Sequence, residues 1–134
     1  MSDEAFAKAA SIPLLQTLDI SLAESGEQHA VMEVTVSAKH ANYYGGAHGG
    51  LLATLADTVC FFPLPLIPSG LQVTTVNLNL NYMRPVSLGE RLRARADLLR
   101  LGRRSANLNV SIENETGKQV VQGTAVLMVL DEQT

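Results

Sequence analysis

The chain reads as alternating apolar and polar runs on either side of one apolar stretch with a different period. HAVMEVTVS, residues 29–37, alternates as a strand does, and residues 18–23 read as a shorter strand joined to it by the turn ESGEQ. VTTVNLNLNYM puts Val76, Leu78, Leu80 and Tyr82 on one face and Thr75, Asn77, Asn79 and Asn81 on the other. ERLRARADLLRL sets Leu92, Ala94, Ala96 and Leu98 against Arg91, Arg93, Arg95 and Asp97. SANLNVSIEN buries Ala106, Leu108, Val110 and Ile112, and ETGK is a hairpin turn with Gly117 at positive φ. The last run, QVVQGTAVLMVL, is apolar on both faces towards its end, which predicts a strand inside a sheet or at a subunit contact.

The odd stretch is residues 48–62, rich in Leu, Ala and Thr, which reads as the one substantial helix. It stops where Pro63, Pro65 and Pro68 make continuation costly, and LPLIPSG is an irregular crossing. A glycine-rich loop, residues 38–47, leads into it, and residues 3–10 form a short helix capped by Ser2 or Asp3. The order is helix, two strands, long helix, four antiparallel strands. One apolar helix and one large sheet must cover each other, so the expected fold is α+β, with an antiparallel sheet wrapped around a central helix.

The 134 residues suit a single domain spanning 1–134. With 46% apolar residues the chain is not disordered, and a net charge of −3 without a Lys/Arg block argues against nucleic acid as a main partner. No apolar run approaches the roughly 18 residues of a membrane span. The acidic start MSDEAFAKAA lacks a signal-peptide core, and the single cysteine, Cys60, cannot form an internal disulfide. A cytoplasmic location is expected.

Candidate chemistry concentrates in NYYGGAHGGLLATLADTV, residues 42–59. Asp57 is the only carboxylate between His40 and Arg84. A helix that opens at His48-Gly49-Gly50 presents backbone N–H groups with no partner inside the helix, and glycine removes the Cβ that would hold a ligand away. Such a corner suits an anion, or a carbonyl oxygen that becomes an oxyanion. Asp57 lies nine residues beyond His48, roughly 180° around the helix and roughly 13 Å along it. One small reacting group cannot meet both within one chain, so they serve two sites or one site assembled from two chains. The plainer alternative for Asp57 is a solvated face shared with Thr54 and Thr58, but such a face normally carries several Lys, Glu or Arg. For His48 the alternative is a local hydrogen bond, for Asn42 a turn, and for Cys60 a small core residue. His29, His40 and His48 fall in different segments, without metal-ligand spacing.

Residues 42–57, with Asn42, Gly45, His48-Gly49-Gly50 and an acid nine residues after the histidine, resemble the signature loop and helix of the hot-dog-fold thioesterases of the phenylacetate-degradation type. TTVNLNLNYMRPV is similar to that family's Thr-containing strand ending in Arg-Pro, and residues 99–130 resemble its closing strands. The resemblance implies hydrolysis of a small or medium-chain acyl or aryl-acyl thioester of coenzyme A, with no cofactor beyond the coenzyme A of the substrate and no metal. It implies homodimers with shared active sites, joined sheet edge to sheet edge and paired into tetramers. By the same resemblance Gly49 donates its backbone N–H to the thioester carbonyl, His48 and Asn42 shape that corner, Asn42 also holding the leaving-sulfur side or a water, and Gly50 is among the substrate-binding residues. Asp57 of the other subunit activates water or attacks directly, and Thr75 helps to hold the water. Arg84, Arg103 and Arg104 are candidates for the phosphates of coenzyme A, against the alternative of solvated surface arginines. The run FFPLPLIPSG departs from the family's pattern, which leaves the acyl group open. Two rival readings also stay open: a subunit that binds acyl-CoA without cleaving it, and a hydratase or dehydratase of acyl thioesters.

Overall fold

The computed structural model describes residues 2–130. Helices α1 (Ser2–Ala10) and α2 (Pro13–Leu18) precede strands β1 (Ser21–Ser25) and β2 (His29–Thr35). Helix α3 (Gly49–Val59) then leads to β3 (Val73–Tyr82), β4 (Arg91–Leu101), β5 (Ser105–Asn114) and β6 (Gln119–Val129). All strand pairs are antiparallel, in the order β1-β2-β4-β5-β6-β3. No helix among the described residues is long and apolar enough to cross a membrane.

The apolar side of α3 explains its place. Leu51, Leu52, Leu55, Ala56 and Val59 recur at i, i+3 and i+4 and are all buried. They meet an inner sheet face of Met32 and Val34 (β2), Leu92, Ala94 and Ala96 (β4), Leu108, Val110 and Ile112 (β5), and Ala125 and Leu127 (β6), also buried. The expected alternation of β4 and β5 is therefore found, and β6 lies inside the sheet. At Gly123 a Cβ would stand 2.0 Å from the Asn79 carbonyl oxygen, so β3 and β6 approach this closely only with glycine there. Gly117 turns the β5–β6 hairpin at φ 81°.

Three expectations are corrected. The strand expected over residues 18–23 runs instead from Ser21 to Ser25. Pro13 starts α2, Asp19 ends it at φ 58°, and β1 begins only at Ser21. Helix α3 ends at Val59 rather than at residue 62; Cys60, Phe61 and Phe62 continue as tight i→i+3 turns, because the residue before a proline avoids the helical region.

The third correction concerns β3, where strict alternation fails. Thr75 pairs with Leu127 but Asn77 with Val126, so Val76 is a bulge residue that the partner strand does not match. Val73 and Thr75 therefore share the inner face with Leu78 and Leu80, while Val76 is pushed out and is 53% exposed. The bulge turns Thr75 towards α3.

Candidate active site

The loop before α3 is shaped by one side chain. Asn42 Oδ1 accepts the backbone N–H of Tyr44 (2.9 Å) and of Gly46 (3.0 Å), and its amide donates to the Ala47 carbonyl (3.3 Å). Its own N–H donates to the Gly46 carbonyl at 2.7 Å. Gly45 sits at φ 86°. A Cβ on Gly46 would stand 2.8 Å from the Val86 carbonyl oxygen, which also accepts the N–H of Ala47 at 2.8 Å. The Arg84-Pro85-Val86 segment is thus the wall against which the glycine loop is pinned.

His48 is the N-cap of α3. Its Nδ1 accepts the Gly50 N–H at 2.7 Å, its carbonyl accepts Leu51 N–H at 3.0 Å, and its own N–H donates to the His40 carbonyl at 2.8 Å. Accepting at Nδ1 requires the neutral ring with its proton on Nε2. Gly50 N–H and Leu51 N–H are therefore occupied, and Gly49 N–H is the first-turn donor left without a partner among the described residues. Tyr82 steadies the next peptide, Gly49–Gly50, from β3 by donating its hydroxyl to the Gly49 carbonyl at 2.9 Å. The helix start is exposed, so the free donor faces outward at the positive end of the helix dipole.

Asp57 lies two turns further along, on the stripe of α3 that its own sheet does not fully cover: Gly50, Thr54, Asp57 and Thr58. It is partly buried and accepts the Thr75 hydroxyl at 2.7 Å through Oδ1. That contact depends on the Val76 bulge. It fixes the carboxylate rotamer and leaves Oδ2 to accept from a water. Cys60 Sγ is buried and donates to the Ala56 carbonyl at 3.3 Å. Burial pushes its thiol up to about 12, with the Asp57 charge adding to the shift, so it is no nucleophile at neutral pH.

Arg103 and Arg104 are exposed and line a cleft of about 770 Å³ with Arg100, Gly102 and Leu130. Arg84 is exposed beside the glycine loop. None of the three arginines picked out from the sequence makes an ion pair among the described residues. Structure brings Asn42, His48, Gly49 and Gly50 together at one end of α3 and Asp57 with Thr75 at the other; it does not join the two groups within the chain. Sequence reasoning missed Tyr82, Val86 and Arg100. Tyr82 was within reach, since it closes the inner face of β3. The roles of Val86 and Arg100 depend on backbone contacts and loop paths that no spacing encodes.

These geometries accord with known proteins. The thioesterase superfamily profile matches residues 44–121, more than half of the chain. Human acyl-coenzyme A thioesterase 13 is 34% identical over 105 residues, which cover 78% of this chain and 75% of that protein. Among solved structures, the PaaI protein of the phenylacetic acid degradation operon of Escherichia coli superposes with a TM-score of 0.87 at 25% identity, covering 96% of this chain and 91% of that one. A hypothetical thioesterase protein of Streptococcus pneumoniae solved with coenzyme A superposes with a TM-score of 0.76 at 28% identity, covering 83% of this chain and 85% of that one. With its helix cradled in one antiparallel sheet, the chain belongs to the thioesterase superfamily, the thioester hydrolases of the hot-dog fold.

Proposed function

We propose that the chain is an acyl-CoA thioesterase that hydrolyses a small or medium-chain acyl or aryl-acyl thioester to free acid and coenzyme A in a site shared by two subunits. The carrying observation is the division of labour along α3. A free donor, Gly49 N–H, stands at its start and an oriented carboxylate, Asp57, stands on the same helix roughly 12 Å further on. One carbonyl cannot reach both. Gly50 and Asp57 are seven residues apart, two turns, on one stripe with Thr54 between them. A two-fold axis through that stripe near Thr54 sets the partner's Gly49 against Asp57, and the reverse, in one operation. Strand β3 supports such an assembly, because its ten residues form a sheet edge with no outer neighbour among the described residues, flanked by exposed Val76, Tyr82 and Met83.

The chemistry then needs few groups. Asp57 Oδ2 takes a proton from water as the water oxygen bonds to the thioester carbon, while Thr75 holds Oδ1. Negative charge grows on the carbonyl oxygen and is met by the partner's Gly49 N–H, whose peptide is held through the His48 carbonyl by Leu51 N–H while the His48 ring and the Tyr82 hydroxyl hold the next peptide. Collapse breaks the C–S bond. The thiolate leaves and takes up the proton from Asp57, and the acid dissociates. The cleft of Arg100, Arg103 and Arg104 offers cations for the phosphates of coenzyme A, with Arg84 a further candidate beside the glycine loop.

The test is thiol release from a panel of aliphatic and aromatic acyl-CoAs, with Asp57→Ala as control. Turnover that disappears in the variant supports the reading. Saturable binding without thiol release, or full turnover by Asp57→Ala, overturns it.

A further inference from the structure

Among the described residues His40 is the one buried polar side chain, 3% exposed. It closes the 3-10 turn Ala38–His40 that follows β2, and main chain holds its ring at both nitrogens. Nδ1 accepts the backbone N–H of Ser37 at 2.9 Å, and Nε2 lies 2.7 Å from the Leu18 carbonyl oxygen. A ring nitrogen that accepts from an N–H carries no proton, and one that faces a carbonyl must carry one. These partners therefore assign a neutral ring with its proton on Nε2.

Both partners are fixed points. Leu18 ends α2, and its carbonyl is among those that a helix end leaves without an internal partner. Ser37 follows Val36, which is tied to the segment entering β4: its N–H donates to the Glu90 carbonyl at 2.9 Å, and its carbonyl accepts Gly89 N–H at 2.7 Å. The glycine corner has no such footing of its own, because none of residues 41–50 is buried. It is strung between two buried residues, His40 before it and Leu51 after it. The His40 carbonyl accepts His48 N–H at 2.8 Å. His48 is the N-cap, and its ψ of 136° sets the plane of the His48–Gly49 peptide, hence the direction of the free Gly49 N–H.

We propose that His40 is a positioning residue for thioester hydrolysis: its buried ring anchors the entry to the glycine corner, and its carbonyl orients the His48 cap so that Gly49 N–H points at the reacting carbonyl oxygen. This rests on the thioesterase reading above. An apolar side chain at residue 40 would leave the Ser37 N–H and the Leu18 carbonyl without partners, and the turn would shift to satisfy them. The shift passes to His48 through one hydrogen bond, and an oxyanion donor loses much of its effect when it is slightly misaimed.

The experiment combines thiol-release kinetics on the acyl-CoA panel with NMR of protein carrying isotope-labelled glycine and histidine. It compares the wild type, His40→Met and His40→Gln, each checked by its melting temperature. Met fills the buried space with neither donor nor acceptor, whereas Gln keeps both and suits the third position of a capping turn. His40→Met lowers kcat about tenfold or more with KM within about twofold, and displaces the Gly49 amide resonance in the absence of substrate. His40→Gln brings kcat to within about threefold of the wild type and the resonance back towards its original position. In the wild type the His40 ring carries its proton on Nε2. Should His40→Met fail to fold, His40→Gln carries the same comparison: kcat and the Gly49 resonance hold together or shift together, and a change in one without the other overturns the inference. A folded His40→Met with wild-type kcat, a loss of kcat that leaves the Gly49 resonance in place, or a His40 ring protonated on Nδ1 overturns this inference alone. A wild type that cleaves none of the panel overturns the thioesterase reading and this inference with it.

Discussion

The two ends of α3 are built in opposite ways. Its start is a web of backbone bonds. Asn42, His40, His48, Val86 and Tyr82 each hold a peptide group of the glycine corner, so the one free N–H is fixed without any side chain at that position. Its later half relies on a single side-chain pair, Asp57 with Thr75, delivered by a strand bulge. In the mechanism proposed above, the donor is main chain, where reorganisation is smallest. The proposed proton carrier is a side chain, where one hydrogen bond orients it and the second oxygen stays available.

Variants at each end separate the two designs. The largest effect is expected for Asp57→Asn, which keeps the shape and a bond to Thr75 but removes the base. kcat falls about 10³-fold, with the melting temperature close to that of the wild type, as thiol-release kinetics and calorimetry report. At the other end, Gly46→Ala forces a Cβ to 2.8 Å from the Val86 carbonyl oxygen and displaces the loop that sets the Gly49 peptide. Its expected loss is about 10²-fold in kcat, the magnitude of losing one oxyanion donor, with Asp57 untouched. Thr75→Val removes only the bond that orients the acid, and costs about tenfold in kcat with little change in KM. If Thr75→Val proves as damaging as Asp57→Asn, Thr75 is more than an orienting group.

The smallest effect is thermodynamic. The Cys60 thiol is held well above its ordinary value of 9.0, at about 12, by burial first and by Asp57 second. Between those two values the unfolded chain has lost the thiol proton and the folded one keeps it. Folding stability from this group is complete below pH 9 and declines as pH rises towards 12, by up to about 1.4 kcal/mol per unit. Denaturant melts of the wild type and Cys60→Ala over that range, compared at each pH, show the wild-type advantage shrinking. A constant difference would mean that the thiol titrates alike in both states.

The contrast between the two ends also decides what could be read from the sequence. The glycine corner is local: Asn42, the glycines and His48 lie within nine residues, and the rules of capping and tight turns act over that distance. The inner faces of β4 and β5 were legible for the same reason, since a two-residue period needs no partner to be seen. The Asp57–Thr75 contact was not derivable from the pattern. Plain alternation puts Thr75 on the face opposite Leu78, and only the unpaired Val76, a consequence of how β3 meets β6, reverses it. Resemblance to a family supplied Thr75 where the pattern could not. Helix α2 was missed because six residues give too little period to recognise, although Pro13 at its first position was a start signal.

Mixed assembly is the most direct test of a site shared by two chains. Asp57→Ala and Gly49→Pro chains, each inactive alone, are refolded together, and the isolated heterodimer is assayed for thiol release. A shared site leaves one of its two centres with both an intact acid and an intact donor, so the heterodimer recovers about half of the wild-type rate. A heterodimer no more active than the two inactive parents would contradict the account, because it would mean that the acid and the donor must come from the same chain.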